Sequence, residues 1–126
     1  MNRTVVITGA NSGIGKAAAR LFAVEGWKVI MACRSDERGK RALEEIQTAV
    51  PGAEVVVRRL DVGSQDSIRE FCANLGQELS SLDVLVNNAA YVEHGSPYQQ
   101  SPDGIELTWA VNVCGPYLLT MELREL

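Results

Sequence analysis

Thr8-Gly9-Ala10-Asn11-Ser12-Gly13-Ile14-Gly15 is the stretch whose reading decides the fold. It follows Thr4-Val5-Val6-Ile7, whose β-branched and aliphatic side chains suit a strand covered on both faces. It leads into Lys16-Ala17-Ala18-Ala19-Arg20-Leu21-Phe22, where Ile14, Ala17, Ala18, Leu21 and Phe22 fall at helical spacing and predict one apolar stripe. A glycine-rich turn between a strand and a helix has a physical use. Gly9 permits a tight turn off the strand, Gly13 lets backbone approach a pyrophosphate with no Cβ in the way, and Gly15 allows close helix packing. The N–H groups of the helix start, at the positive end of its dipole, then face the diphosphate. Glycines collect in any turn, so the weight comes from the strand–turn–helix context. Gly9, Asn11, Ser12, Gly13, Ile14 and Gly15 are therefore candidate cofactor contacts.

Working outward, short apolar runs alternate with amphipathic stretches to the end of the chain. Strands are predicted at 4–8, 28–33, 54–60 and 84–86. The first helix stops at Gly26. A second opens after Ser35, carries Ala42, Leu43, Ile46 and Val50, and ends at Pro51-Gly52; a third carries Ile68, Phe71, Cys72, Leu75 and Leu79. Residues 91–103 read as a loop. A last helix is expected from Ser101-Pro102, with Leu107, Ala110, Val111, Cys114 and Leu118 as its stripe and no capping residue before Leu126. Strands alternating with helices predict an α/β fold: a Rossmann-type, doubly wound parallel sheet of about four strands, in one domain over 1–126 that is incomplete at its C-terminus. The strand at 84–86 would then lie at a sheet edge and favour association.

Composition excludes several classes. The chain has 126 residues and is 46% hydrophobic, enough for one core. Twelve Lys and Arg against 16 Asp and Glu give a net charge of −4, which argues against a nucleic-acid partner. The longest apolar run, Val29 to Cys33, is far shorter than the about 20 residues of a membrane span. Met1-Asn2-Arg3-Thr4 leads into Val5 with no basic-then-apolar pattern, so no secretory signal is expected. Three scattered cysteines, Cys33, Cys72 and Cys114, fit a reducing cytoplasmic setting, and with His94 as the one histidine and no C-x-x-C, no metal site is expected.

The Thr8-Gly-x-x-x-Gly-Ile-Gly15 motif, Asn87-Asn88-Ala89-Ala90 after the fourth strand and Asn112 in the last helix together resemble the short-chain dehydrogenase/reductase family over the whole chain. Ala32-Cys33-Arg34, Arg59-Leu60-Asp61-Val62, Asp103-Gly104-Ile105-Glu106 and Val111-Asn112-x-x-Gly115 resemble its retinol-dehydrogenase-like branch, N-terminal half only. The resemblance implies an oxidoreductase interconverting a carbonyl and an alcohol, a small and lipophilic substrate, and a homo-oligomer built on the last helix. It also implies that Asp61 and Val62 contact the adenine and that Asn88, Ala89 and Ala90 tie the fourth strand to the first beside the cofactor ribose. Asp61 also reads as a plain turn aspartate.

In a dinucleotide site an acid at the end of the second strand binds the ribose 2′-hydroxyl and repels a 2′-phosphate. Laid against the family, that position is Cys33, followed by Arg34, whose guanidinium suits a phosphate, and by Ser35. NADP(H) is the expected cofactor, with NAD(H) as the alternative. Arg34 also reads as an ordinary cation paired with Asp36 or Glu37, and a shift of one residue would give Asp36 the NAD role. The family's proton donor is a tyrosine with a lysine four residues on, assisted by a serine. Here Gly95, Pro102 and Met121 lie four beyond Tyr91, Tyr98 and Tyr117, and Lys16, Lys28 and Lys40 all lie upstream. Of the family's catalytic set only Asn112 is matched, in a role of holding the lysine and a relay water. The expectation is a cofactor-binding half ended before its catalytic acid, inactive alone. The competing expectation is a non-catalytic NADP(H)-binding module or pseudo-enzyme.

Overall fold

A computed structural model of the chain describes residues 2–95 and 97–126, in two units: Met1–Leu60 with Ser81–Asn88, and Asp61–Ser80 with Ala89–Leu126. In the first, β1 (Thr4–Thr8), β2 (Lys28–Cys33), β3 (Val55–Arg59) and β4 (Val84–Val86) form a parallel sheet in the order β3-β2-β1-β4. Thr4 faces Lys28 and Thr8 faces Ala32; on the other side Val5 faces Val84. The central strands are buried almost throughout, as their continuous apolar runs require. Strand β4 lies at an edge, as expected.

Helices α1 (Gly13–Val24) and α2 (Asp36–Ala49) pack on this sheet, α1 against β1 and β2, α2 against β2 and β3. The core between them joins Val5, Ile7, Val29, Met31 and Cys33 to Ala19, Ala23, Ala42 and Ile46. The stripe expected for α1 is corrected here. Ile14 and Leu21 are 83% and 66% exposed and Ala17 is exposed too, while Gly15, Ala19 and Ala23 are buried with Ala18 and Phe22 beside them. Small residues set the contact line because α1 lies close to its neighbours. A Cβ on Gly15 would overlap the Gly9 carbonyl oxygen and Nδ2 of Asn88. Gly26, at φ 80°, stops the helix as read from the sequence.

The second unit holds α3 (Gln65–Glu78), α4 (Leu107–Trp109), a π-helical turn (Ala110–Cys114) and α5 (Gly115–Leu123), with α3 packed on α5. Two expectations change. The last helix begins at Leu107, capped by Glu106, because Ser101 is engaged in a tight turn of its own. The Ser101 N–H donates to Ile105 O at 2.7 Å, and its Oγ receives the N–H groups of Asp103 and Ile105. The stripe also shifts. Ala110 is buried as expected, but the π turn adds a residue, so burial resumes at Gly115, Leu119 and Leu123, with Leu118 only half-buried. Helix α5 ends at Leu123, and the Leu126 N–H closes back on Leu123 O.

Candidate functional site

The turn after β1 is left-handed at two points, Gly9 (φ 62°) and Gly13 (φ 54°). Only glycine adopts that backbone without strain, so both positions are fixed by conformation. The Gly9 N–H bonds Ala32 O at 2.9 Å, pinning the turn to β2. Ser12 is the N-cap of α1, but its side chain makes no capping bond, and no acid lies in the first turn. The first N–H groups of α1 are thus left without a side-chain acceptor. No side chain fills the space at Gly13, where a built Cβ would meet nothing within 4 Å. This end of the helix suits an anion.

Asn88 holds the turn from behind. Its backbone N–H donates to Thr8 Oγ1 at 3.0 Å, and Nδ2 donates to Thr8 O at 3.1 Å and Gly9 O at 3.2 Å. Thr8 Oγ1 reaches Val86 O at 3.4 Å. The tie between the ends of β1 and β4 expected of Asn88 is therefore present as geometry. Thr8 is a partner that sequence reading missed, although it sits one residue before Gly9.

At the end of β2 the Cys33 thiol is pushed up to about 11, first by burial, with Asp36 adding to the rise and a backbone hydrogen bond involving Ala10 opposing it. At neutral pH this position carries no negative charge. Arg34 is exposed, and its guanidinium has no ion pair or hydrogen bond among the described residues. The pairing with Asp36 or Glu37 considered from sequence is absent; Glu37 is bonded to Arg41 at 3.3 Å. Ser35 caps α2 by accepting the Arg38 N–H at 3.3 Å. Asp36, the first residue of α2, is exposed.

In the second unit, Asp61 Oδ1 receives the Gly63 N–H at 2.9 Å while the Asp61 N–H donates to Ser67 Oγ at 2.9 Å. The aspartate does the work of a turn residue, and Oδ2 has no partner among the described residues. Val62 is buried, Ala89 is half-buried and Ala90 is exposed. Asn112 lies in the π turn and forms a two-point clamp on Tyr91: Oδ1 receives the Tyr91 N–H at 2.8 Å and Nδ2 donates to Tyr91 O at 2.6 Å. Its side-chain amide is committed to that backbone. The clamp pairs a side chain with main chain 21 positions away, so no residue pattern could have announced it.

The family model described as short chain dehydrogenase matches residues 3–126. The chain belongs to the short-chain dehydrogenase family. Human retinol dehydrogenase 11 is 42% identical over 123 residues, covering 98% of this chain and 38% of that protein, and retinol dehydrogenase 13 of Mus musculus is also 42% identical, covering 98% and 36%. The chain thus spans little more than a third of these curated relatives. Among solved structures, a metagenomic short-chain oxidoreductase in complex with NADP superposes with a TM-score of 0.84 at 32% identity, covering 98% of this chain and 55% of that one. An alcohol dehydrogenase from Thermococcus sibiricus complexed with 5-hydroxy-NADP gives 0.83 at 28% identity, covering 99% and 53%. These likenesses agree with the four-stranded parallel arrangement. No helix among the described residues is long and apolar enough to cross a membrane.

Proposed function

We propose that this chain is the NADP(H)-binding part of a short-chain oxidoreductase that interconverts a carbonyl and an alcohol. The observation that carries the reading is the uncapped start of α1 at a turn whose Gly9 and Gly13 are left-handed, which offers N–H groups without a side-chain acceptor to a diphosphate. Arg34, free of any carboxylate, and the Ser35 hydroxyl would receive the 2′-phosphate, and the neutral Cys33 does not repel it. Asp61, through Oδ2, and Val62 would border the adenine; Ala89 and Ala90 would border the ribose, and Asn88 would act by holding the turn. Two solved relatives were crystallised with NADP or a derivative of it, which supports the same choice over NAD(H).

When bound, the nicotinamide supplies or accepts a hydride. The chain's own residues would grip and orient the dinucleotide; Asn112 would act through its clamp on the Tyr91 backbone. Hydride transfer to a carbonyl also needs a proton donor, and the sequence has no Tyr-x-x-x-Lys. This chain is accordingly expected to bind nucleotide without turning over substrate. The retinol dehydrogenase relatives favour a lipophilic aldehyde or ketone, and the three free thiols favour a cytoplasmic setting.

The test is a calorimetric titration of the folded protein with NADPH and with NADH. Tighter binding of NADPH, weakened by Arg34→Ala with NADH nearly unchanged, is the expected result. A cooperatively folded chain that binds neither nucleotide would overturn the reading. The missing tyrosine and lysine keep a second reading open, a non-catalytic NADP(H)-binding module. Reading the nucleotide sequence beyond codon 126 separates the two: an in-frame serine followed by Tyr-x-x-x-Lys favours the enzyme, a stop codon the module.

A further inference from the structure

We propose that the groove between α1 and α2 binds a long-chain carboxylate, with Arg20 receiving the headgroup and Leu21 and Val24 the chain. A cavity of about 640 Å³ opens there, between Ala17, Leu21 and Val24 of α1 and Ile46 and Ala49 of α2. Leu21 and Val24 are 66% and 58% exposed, so two large apolar side chains stand in water about one helical turn apart. Burying them against a ligand removes that surface from water. Of this wall only Gly13 belongs to the turn proposed to hold the diphosphate, so the site stands apart from the nucleotide reading.

Three charged residues share the wall, Lys16, Arg20 and Glu45. Lys16 is ion-paired with Glu45, so their charges offset each other. Arg20 is exposed and has no carboxylate partner among the described residues. The groove therefore sets one uncommitted guanidinium beside an apolar floor. Arg20 and Val24 are four apart and share a helix face, with Leu21 next to them, so a ligand held at Arg20 can lay its chain along both. A carboxylate takes a two-point contact from a guanidinium, and its apolar tail covers the exposed side chains. Glu45 in the same wall opposes a dianionic phosphate, which selects a headgroup of single charge. The volume lies within the roughly 300–1,000 Å³ of small-molecule sites, whereas a protein partner needs about 800 Å² on each side, more than these few exposed side chains supply.

The experiment is a calorimetric titration of the parent chain, Arg20→Gln and Leu21→Asn with octanoate, 1-octanol and octyltrimethylammonium, each below its aggregation concentration. Urea unfolding checks that each variant is folded; both residues are exposed, so neither substitution disturbs the core. In the parent, octanoate is expected to bind about fivefold more tightly than 1-octanol at low salt, a gain that fades as salt rises, and octyltrimethylammonium more weakly than either. Arg20→Gln is expected to abolish the preference for octanoate and to leave 1-octanol within about twofold; Leu21→Asn is expected to weaken both about fivefold. A parent that binds none of the three probes overturns the proposal. So does octyltrimethylammonium bound as tightly as octanoate, or a preference for octanoate that survives Arg20→Gln. Equal octanoate affinity in the parent and Leu21→Asn would place the chain elsewhere on the protein. A parent that ignores octanoate yet sediments with phosphatidylserine vesicles, or that self-associates and becomes monomeric on Leu21→Asn, would give the groove to a membrane surface or to a second copy instead.

Discussion

Helices α1 and α3 both begin after a strand and a serine, and they treat their first turns in opposite ways. At α3, Ser64 accepts the Ser67 N–H at 3.2 Å and the Asp103 carboxylate accepts the Gln65 N–H at 2.9 Å, so a hydroxyl and an anion of the chain itself occupy the helix start. At α1, Ser12 caps nothing, the first turn holds no acid, and Lys16 stands where α3 keeps none. Helix starts leave unpaired N–H groups that something must satisfy. In α3 the chain satisfies them; in α1 they are left for water or for a ligand. That contrast, more than the count of glycines, separates a structural helix start from a binding one.

The strongest way to break the contrast is to fill the space behind the α1 turn. Gly15→Ala gains about 1 kcal/mol of helix propensity. It also drives a Cβ into the Gly9 carbonyl and the Asn88 amide, neither of which can yield without losing the bonds from Asn88 to Thr8 and Gly9. Overpacking of this kind costs about 1–3 kcal/mol, and each lost hydrogen bond adds about 1 kcal/mol, so the clash wins. We expect net destabilisation of about 2 kcal/mol in urea unfolding, together with loss of NADPH binding. A Gly15→Ala protein as stable as the parent that still binds nucleotide would show that the turn is not held in this shape.

What the sequence made legible follows the same division between local and distant causes. The four strands, the left-handed glycines and the stop at Gly26 are dictated by residues within a few positions of each other, and they lie where the pattern predicts. The buried line of α1 was not legible. Ile14 and Leu21 look like its apolar face, yet close approach selects Gly15, Ala19 and Ala23, and hydrophobicity ranks size rather than closeness. The π turn was hidden for another reason: one extra residue in a helix leaves the composition of Ala110–Cys114 ordinary while rotating everything after it. In the candidate site, the glycine turn and Arg34 were readable from motifs. The pairings that leave Arg34 free, and the grip of Asn112 on Tyr91, depend on which side chains the fold brings together.

A smaller effect sharpens the comparison through the two serines. Ser64→Ala removes a working cap and is expected to cost about 1 kcal/mol, seen as a lowered urea midpoint. Ser12→Ala removes a hydroxyl that bonds nothing and is expected to leave stability within about 0.3 kcal/mol, since the usual cost of losing a cap does not apply. Equal losses in the two variants would mean that α1 is capped in solution after all, and the open start proposed to hold the diphosphate would be closed.

The smallest effect concerns α4, where a carboxylate occupies the position left open at α1. Glu106 accepts the Thr108 N–H at 2.6 Å and the Trp109 N–H at 3.1 Å, and these bonds, that to Thr108 first, hold its carboxyl below the usual 4.5. A carboxyl depressed in the folded state contributes stability that is present above its unfolded value and is lost as pH falls through the folded one. Glu106→Gln keeps an acceptor oxygen but removes the charge. Its melting temperature should therefore lie slightly below the parent's at pH 7, and the two curves should converge on acidification below 4.5. A gap that persists unchanged into strong acid would assign the difference to shape rather than charge. It would also remove the internal precedent, within this chain, for an anion seated on open helical N–H groups.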